Sequence, residues 1–476
     1  MFETGIRQFR MAMGIVWGRK LDPANIERLV ADALATLREF GEPGADARTL
    51  TDGPMTDPEE RAHIATTNLR RTAGRLAKQS SFYAKRFADV GVDPRKLDIA
   101  HLDQVPVTVK AELTQHANEF LCRDSQRYLA TRTTGTTGKP TEVWLSRYEM
   151  SLWPAMGALA SVIRDDLRPD DVMQVNVSSR ATAAVTLDVA VCRLIGTGCR
   201  LVGLVPPDEA LDALTEGVTV LSTCASYLGQ LVVAARRRGL GPADFTLRRI
   251  DVGGEVLSPT LTEAARKTFG AEAINDLFGM TEVLPVTGRH CSHNHLHHDI
   301  TMGLCEYVDL DTGTAAEPDA LASVVITPFF PYRECMPVFR YDTRDVVRPL
   351  DNKALTCEIS GLPATTKILG KADQLVRLGA NDVVSPRDLV EAIDALPTQP
   401  WPARFRAAVD SGRIALTLPE AAVADFGVAA TEQHFIDRGL DVRVIVVGDE
   451  QASLLRPLRC DLRETTFAAR PALIGV

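Results

Sequence analysis

The chain reads Thr-Thr-Gly-Thr-Thr-Gly-Lys-Pro-Thr from Thr133 to Thr141. Glycine lets backbone N–H groups approach a ligand closely, hydroxyls add hydrogen-bond donors, and lysine adds positive charge. The run therefore predicts a phosphate-binding loop, although it does not match the G-x-x-x-x-G-K-S/T pattern of P-loop proteins. The candidate ligands in it are Thr133, Thr134, Gly135, Thr136, Thr137, Gly138 and Lys139.

Length and composition predict an acidic globular protein of two or three domains. The 476 residues are 45% hydrophobic and 24% charged, and the net charge is -9. That charge argues against a nucleic-acid partner, because phosphate contacts favour a basic surface. No apolar run has the length of a membrane span, so no membrane partner is expected. The 9 cysteines favour reduced thiols in a cytoplasmic protein, some of them available to a metal.

The hydrophobic pattern predicts three regions. Residues 1–60 form a helical extension, and residues 61–370 contain alternating strands and helices from about residue 170 onward, which predicts an α/β domain with mostly parallel sheets and flanking helices. Residues 371–476 predict a small α+β domain, whose first helix begins at Ser385-Pro386. Strands are expected at 172–177, 200–205, 218–221, 249–252, 273–278 and 322–327, and one long helix from Pro58 to about Phe87.

Four further motifs follow the Thr/Gly-rich loop in a fixed order. They are DVGGE at 251–255, DLFGMTE at 276–282, RYDTRD at 340–345 and GKAD at 370–373. Each motif alone is weak, whereas the ordered set is specific. Together with the loop they resemble the adenylate-forming (acyl-CoA ligase) superfamily. Residues 81–93, 336–341 and 379–381 narrow the resemblance to the phenylacetate-CoA ligase-like branch.

The resemblance implies roles for the motif residues in a site for ATP and Mg²⁺. Gly253, Gly254 and Glu255 would lie against adenine, and Phe278 would stack beside it with Gly279 and Met280 next to the ring. Asp345 would accept hydrogen bonds from the ribose hydroxyls, unless it is only a turn residue. The candidate catalytic residues are Thr281 on a phosphate, Glu282 as the Mg²⁺ ligand and Lys371 at the hinge.

By this resemblance, such a site would activate a small, aromatic carboxylic acid as acyl-AMP and transfer the acyl group to CoA or to the thiol of a carrier protein, and the small C-terminal domain would be mobile between the two half-reactions. Two features depart from the family pattern. Lys371 replaces the usual hinge arginine, and no lysine follows it, although Arg456 and Arg459 lie in the region where relatives place a C-terminal lysine. The alternatives therefore include an acyltransferase, activation of another nucleophile such as nitrite on an aryl amine, and a protein that only binds nucleotide. A homodimer is left open.

A histidine- and cysteine-rich run at residues 290–298 predicts a structural zinc site. By resemblance to the same branch, Cys291, His297 and Cys357 would be three of its ligands. The branch has a further cysteine where this chain has Ile359 and Ser360, so the fourth ligand is open among His293, His298 and Cys335. The alternative is a polar loop without metal.

Polar residues after two of the strands predict the acid-binding pocket, since ligands of this type of sheet bind at the carboxyl ends of its strands. Arg180 would pair with a second polar or anionic group of the substrate, or else lie on the surface. The candidate substrate-binding residues are Arg180, Cys224, Ser226 and Tyr227.

Overall fold

The computed structural model describes residues 2–42, 58–132, 141–178, 181–378, 383–410, 412–424 and 426–452. In chain order the helices are α1 Phe2–Trp17, α2 Pro23–Phe40, α3 Pro58–Gln79, α4 Ser81–Asp89, α5 Lys110–Gln115, α6 Ala117–Phe120, α7 Arg147–Ile163, α8 Thr182–Ile195, α9 Pro207–Leu214, α10 Ala225–Arg237, α11 Pro259–Phe269, α12 Pro386–Asp394, α13 Glu420–Val423, α14 Gly427–Ile436 and α15 Asp449–Ala452. Short 3₁₀ turns lie at Ile99–Gln104, Pro242–Asp244, Asn352–Ala354 and Ala372–Gln374.

All the strands of the described residues lie after residue 126. They are β1 Arg127–Arg132, β2 Glu142–Ser146, β3 Val172–Asn176, β4 Gly198–Leu201, β5 Val220–Thr223, β6 Arg249–Gly253, β7 Ala273–Gly279, β8 Thr287–His290, β9 Leu296–His298, β10 Gly303–Asp309, β11 Ala322–Pro328, β12 Tyr341–Val347, β13 Ala364–Thr365, β14 Gly370–Lys371, β15 Val376–Arg377, β16 Val383–Val384, β17 Arg406–Asp410, β18 Arg413–Pro419 and β19 Val442–Val447.

The largest sheet has the strand order β13-β9-β8-β7-β6-β5-β3-β4. Its half from β7 to β4 is parallel, with crossover helices between the strands, and its half from β7 to β13 is antiparallel. The α/β class expected from the sequence is confirmed, and parallel pairing of this kind needs such crossovers. The expectation of mostly parallel sheets holds for this sheet only.

A second sheet, β10-β11-β12-β14, is antiparallel throughout and contains the predicted strand at 322–327. In its register Asp345 on β12 pairs with Lys371 on β14. Directly paired residues of antiparallel strands have their side chains close together. Residues separated by a long stretch of chain are thus brought side by side at the edge of this sheet.

The N-terminal helices pack on the α/β core because one face of α2 is apolar. Asp22 caps the helix by accepting from Ala24 N, and Gly41 ends it in the left-handed region with a φ of 78°. Ile26, Leu29 and Val30 are buried, and each such side chain contributes about 1.5–3 kcal/mol relative to exposure. The backbone N–H of Leu21 also donates to the Tyr148 hydroxyl of α7 at 3.0 Å.

The long helix expected from Pro58 to Phe87 is two helices. Ser80 has an extended backbone and its hydroxyl accepts from Tyr83 N, so it ends α3 and caps α4. The strand expected at 200–205 lies two residues earlier, at Gly198–Leu201, where it pairs with β3. No helix in the described ranges is both long and apolar enough to span a bilayer.

The C-terminal part has its own core, formed by α12 and the sheet β17-β18-β19. It contacts the larger part through buried polar groups of α12. Ser258 Oγ donates to Asp394 Oδ2 at 2.5 Å, and Arg387 Nη1 donates to Leu257 O at 3.2 Å. Burial raises the pKa of Asp394 to about 7. The boundaries at residues 60 and 370 stay proposals.

Candidate active site

Three adjacent parallel strands end next to one another and bring most of the predicted site residues to one edge of the sheet. Strands β5, β6 and β7 are neighbours, and the chain leaves them at Cys224, Gly254 and Met280 respectively. The carboxyl edge of a parallel sheet is where ligands bind in open α/β folds. The motifs at 251–255 and 276–282 and the acid-pocket residues therefore share one cleft edge.

The predicted adenine-binding turn and the predicted acid pocket are joined by Glu255. Its carboxylate accepts from Ser226 N at 2.7 Å and from Ser226 Oγ at 3.0 Å. Gly254 has a φ of 78°, a left-handed conformation that favours glycine. At Gly253 a Cβ would be 3.4 Å from Leu277 O, so a side chain there would crowd β7. The two half-sites are thus held as a unit.

Glu282 is the most unusual carboxylate of this edge. Its side chain is 3% exposed, and its Oε1 accepts no hydrogen bond within the described residues. The Lys110 ammonium at the start of α5 lies 3.4 Å from Oε1. Burial, with the charge of Glu282 as a further cause, raises the pKa of the neighbouring Tyr341 hydroxyl. A buried carboxylate oxygen without a hydrogen bond fits a hard cation, which prefers such ligands.

Asp345 and Lys371 form an ion pair at the same site. The Lys371 ammonium is 2.9 Å from Asp345 Oδ2 and also donates to Thr343 O at 3.0 Å. Burial raises the pKa of Asp345, while the lysine opposes that shift. The pairing of β12 with β14 places the two side chains together. Neither the motif at 340–345 nor the motif at 370–373 predicts this contact by itself.

Two predicted ligand contacts involve buried rings. The Phe278 ring is 9% exposed and packs edge-on against His298, with their centroids 5.0 Å apart. Tyr227 is 4% exposed, and its hydroxyl donates to Val205 O at 2.7 Å. Adenine stacking by Phe278 and substrate contact by Tyr227 stay predictions. Cys224 and Thr281 are both half-buried, and burial raises the pKa of the Cys224 thiol.

Several predicted residues lie outside the described ranges. They are Thr133, Thr134, Gly135, Thr136, Thr137, Gly138, Lys139, Arg180, Arg456, Arg459 and the motif at 379–381. Strands β1 and β2 flank the first of these segments, and Arg132 at the end of β1 pairs with Glu142 at the start of β2.

Four residues that could hold a metal ion lie together beyond β8. One ligand atom from each of Cys291, His295, His297 and Cys357 lies within 4.8 Å of every other. His297 Nε2 is 3.4 Å from Cys357 Sγ, and its Nδ1 is 3.2 Å from Leu362 O. A backbone carbonyl on one ring nitrogen orients the other toward a metal. Burial lowers the pKa of His297, which favours the neutral ring that a metal needs.

The fourth member of this group corrects the sequence interpretation. It is His295, whereas none of the residues offered for that position belongs to the group. Side chains alternate along β9, so His298 faces away from His297 and lies beside Tyr307, 3.1 Å from its hydroxyl. Cys335 lies in the core near Cys122, whose N–H donates to its carbonyl. His293 is exposed, and its ring stacks on His295.

Sequence reasoning missed Lys110 as well as His295. Lys110 stands more than a hundred residues from Glu282, and no motif was assigned to it. His295 stands immediately before β9 and two residues before His297, and this spacing was the signal that could have identified the histidine. Side chains two residues apart in an extended segment point to the same face.

Comparisons with known proteins agree with this geometry. A sequence model of the AMP-binding enzyme family matches residues 129–306. The phenylacetate-coenzyme A ligase of Thermus thermophilus is 25% identical over 354 residues, covering 72% of this chain and 77% of that protein. The phenylacetate-coenzyme A ligase of Escherichia coli is 23% identical over 356 residues, covering 70% and 76%.

Solved structures show the same fold. The structure of 2-hydroxyisobutyryl-CoA ligase in the postadenylation state with 2-HIB-AMP aligns with a TM-score of 0.72 at 17% identity, covering 83% of this chain and 87% of that one. ATP-bound MatB from Rhodopseudomonas palustris aligns with a TM-score of 0.50 at 14% identity. The family match, the curated relatives and the fold agree with one another: this chain is similar to adenylate-forming enzymes and, over about 70% of its length, to phenylacetate-coenzyme A ligases.

Proposed function

We propose that this protein is an ATP-dependent acid–thiol ligase that activates a small, aromatic carboxylic acid as its acyl-AMP and transfers the acyl group to CoA. In the first half-reaction an oxygen of the acid attacks the α-phosphorus of ATP and pyrophosphate leaves. In the second, the thiol attacks the acyl carbon and AMP leaves with the bonding electron pair. The aromatic acid and CoA are proposed because the curated relatives are phenylacetate-coenzyme A ligases.

The observation that supports adenylation best is the pair of buried carboxylates Glu282 and Asp345, both of which add to the effect of burial in raising the pKa of the Tyr341 hydroxyl. Two buried carboxylates with separate lysine partners suit a nucleotide that must be held by its ribose and by its phosphates. Asp345 would accept the ribose hydroxyls, which would replace its contact with Lys371. Lys110 adds a cation beside Glu282, in a chain that has no lysine after Lys371. When bound through Glu282, Mg²⁺ would neutralise phosphate charge.

The two alternative functions differ from the proposed one in how they use ATP. An acyltransferase would move acyl groups between thiols without ATP, and a binding protein would hold nucleotide without turnover. The buried Oε1 of Glu282, which accepts no hydrogen bond among the described residues, favours ATP-dependent ligation over the acyltransferase, since transfer between thiols needs no Mg²⁺ ligand at that point. The free thiols of the described chain and the use of ATP and CoA support a cytoplasmic location as part of the proposal.

The decisive experiment is ATP–pyrophosphate exchange against a panel of aromatic and short aliphatic acids, followed by detection of acyl-CoA. Acid-dependent exchange with at least one acid, and formation of its CoA thioester, would support the proposal. Acyl transfer without ATP would support the acyltransferase, and binding of ATP without exchange for any acid would support the nucleotide-binding protein.

We further propose that Cys291, His295, His297 and Cys357 bind one structural zinc ion. Two thiolates and two imidazoles form a donor set that zinc prefers, and the four residues cover the positions of a tetrahedral site. The group lies among the apolar side chains of Ile300, Ile359 and Leu362, away from the ATP-binding edge. It therefore has a structural role, linking β9 to the segment that leads into β13.

Replacing Cys357 with alanine is expected to abolish zinc binding and lower the melting temperature by about 5 to 10 °C, because lost metal ligation removes several kcal/mol. Zinc content by plasma mass spectrometry and thermal unfolding measure the two effects. Cys305→Ala is the control, since Cys305 lies outside the group and should keep one zinc per chain. Wild-type protein purified without any zinc would contradict the site.

A further inference from the structure

A second cluster of cations lies away from the candidate active site, on α3. A cleft of about 430 Å³ is lined by Arg70, Arg71, Arg75, Lys78 and Arg95, with Gln79 beside them. Arg71, Arg75 and Lys78 are spaced four and three residues apart, so they share one face of the helix. Arg95 joins them from the turn after α4, where its Cγ lies 3.6 Å from a Cβ built on Gly74.

The negative charge beside this cleft is smaller than the positive charge that lines it. Asp124 pairs with Arg75 at 2.5 Å, and Asp98 lies 3.6 Å from Arg70. The Lys78 ammonium and the Arg95 guanidinium make no ion pair or hydrogen bond among the described residues. Five cations against two carboxylates leave the cleft with a net positive charge, in a protein whose net charge is -9.

The buried part of the cleft also has an unused donor. Arg75 Nη1 donates to Glu334 O at 3.0 Å, which fixes the side chain in place, yet its buried Nε has no partner among the described residues. Arg71 Nη1 donates to Asn68 Oδ1 at 2.8 Å, and Asn68 is not part of the cleft lining. Burial lowers the pKa of Arg71. The unsatisfied buried donor of Arg75, in a concave and cationic site, is a feature that an anion would satisfy.

We propose that this cleft binds a pyrophosphate-type group. Several guanidinium groups suit phosphate oxygens, which they can bind in pairs of parallel hydrogen bonds, and the number of cations suits a polyanion better than a single carboxylate. The volume is that of a small-molecule site rather than a flat protein contact. The group belongs either to free pyrophosphate or to the diphosphate of the CoA nucleotide. None of the lining residues takes part in the proposed adenylation.

The test is hydrogen–deuterium exchange of the full chain in magnesium-free buffer with pyrophosphate, inorganic phosphate, CoA or dephospho-CoA as probe, and with sulfate at equal ionic strength. The double variant Lys78→Ala/Arg95→Ala removes two exposed, unpaired cations and should fold normally. Arg266→Ala/Lys267→Ala on α11 is the matched control, because both cations are exposed and lie far from the cleft along the chain. Isothermal titration gives the affinity of each variant for pyrophosphate.

Pyrophosphate is expected to slow exchange in peptides covering residues 70–79 and 93–97 of the wild type and of the control, and sulfate is not. The double variant should lose this local protection and bind at least about tenfold more weakly at this site.

Protection by CoA and dephospho-CoA alike would identify the CoA diphosphate as the source; protection by pyrophosphate alone would identify the free ion. Absence of local protection, or full protection in the double variant, would overturn the proposal. Because peptides at residues 276–282 and 341–345 report the active site separately, failure here and failure of adenylation are distinguishable.

Discussion

Replacing Glu282 with glutamine is expected to lower acid-dependent ATP–pyrophosphate exchange at least about a thousandfold, which corresponds to about 4 kcal/mol of transition-state stabilisation. The carboxylate is 3% exposed and its Oε1 has no hydrogen bond among the described residues. Glutamine keeps the shape but removes the charge that would ligate Mg²⁺. It also leaves the Lys110 ammonium without its partner.

The control for this variant is Glu272→Gln, an exposed glutamate just before β7. It removes the same charge at the opposite end of β7 and should leave exchange within about twofold of wild type. Raising Mg²⁺ should restore little of the lost rate, because the missing ligand is part of the protein. Exchange at the wild-type rate in Glu282→Gln would show that this carboxylate has no part in adenylation.

Replacing Asp345 with asparagine is expected to raise KM for ATP by about 10- to 100-fold, because one charge-assisted hydrogen bond is worth about 1.5–3 kcal/mol. Asparagine has one acceptor oxygen where aspartate has two, so only one ribose hydroxyl can be held as before. KM for the acid should change much less. Steady-state kinetics of acyl-CoA formation give both constants.

The pH dependence of ATP binding should change in the same variant. Burial raises the pKa of Asp345, so the carboxylate takes up a proton at a higher pH than an ordinary aspartate does. Only the ionised form accepts two hydrogen bonds, so wild-type affinity for ATP should fall as the pH drops through that raised pKa. Asp345→Asn should lack this acid limb, and the exposed Asp170→Asn should keep it. The same acid limb in Asp345→Asn would assign it to another group.

The sequence predicts the fold class from its alternating strands and helices. It predicts the likeness to adenylate-forming enzymes from short motifs in a fixed order. It did not reveal which motifs meet, since that depends on pairing between distant strands. Asp345 and Lys371 were assigned separately, and only the register of β12 with β14 shows them as an ion pair. Glu255 was assigned to adenine, whereas its carboxylate holds Ser226 of the acid pocket.

The candidate zinc ligands also could be predicted from the sequence only in part. Matching the cysteine and histidine spacings to relatives identified Cys291, His297 and Cys357, but the fourth position depends on which face of β9 each histidine occupies. His298 was a candidate by proximity in the sequence, and strand alternation places it on the opposite face, against Phe278. His295 lies two residues before His297 and therefore joins the group.

The ion pair between Lys371 and Asp345 links two events at the proposed site. A ribose that takes both oxygens of Asp345 competes with the lysine that occupies one of them, and that lysine lies where the chain passes toward the C-terminal part. The two equilibria are linked reciprocally. A change that separates Lys371 from Asp345 strengthens nucleotide binding, and bound nucleotide weakens the Lys371–Asp345 ion pair by the same factor. At the proposed site, nucleotide binding would then be coupled to the position of the chain that leads into the C-terminal part.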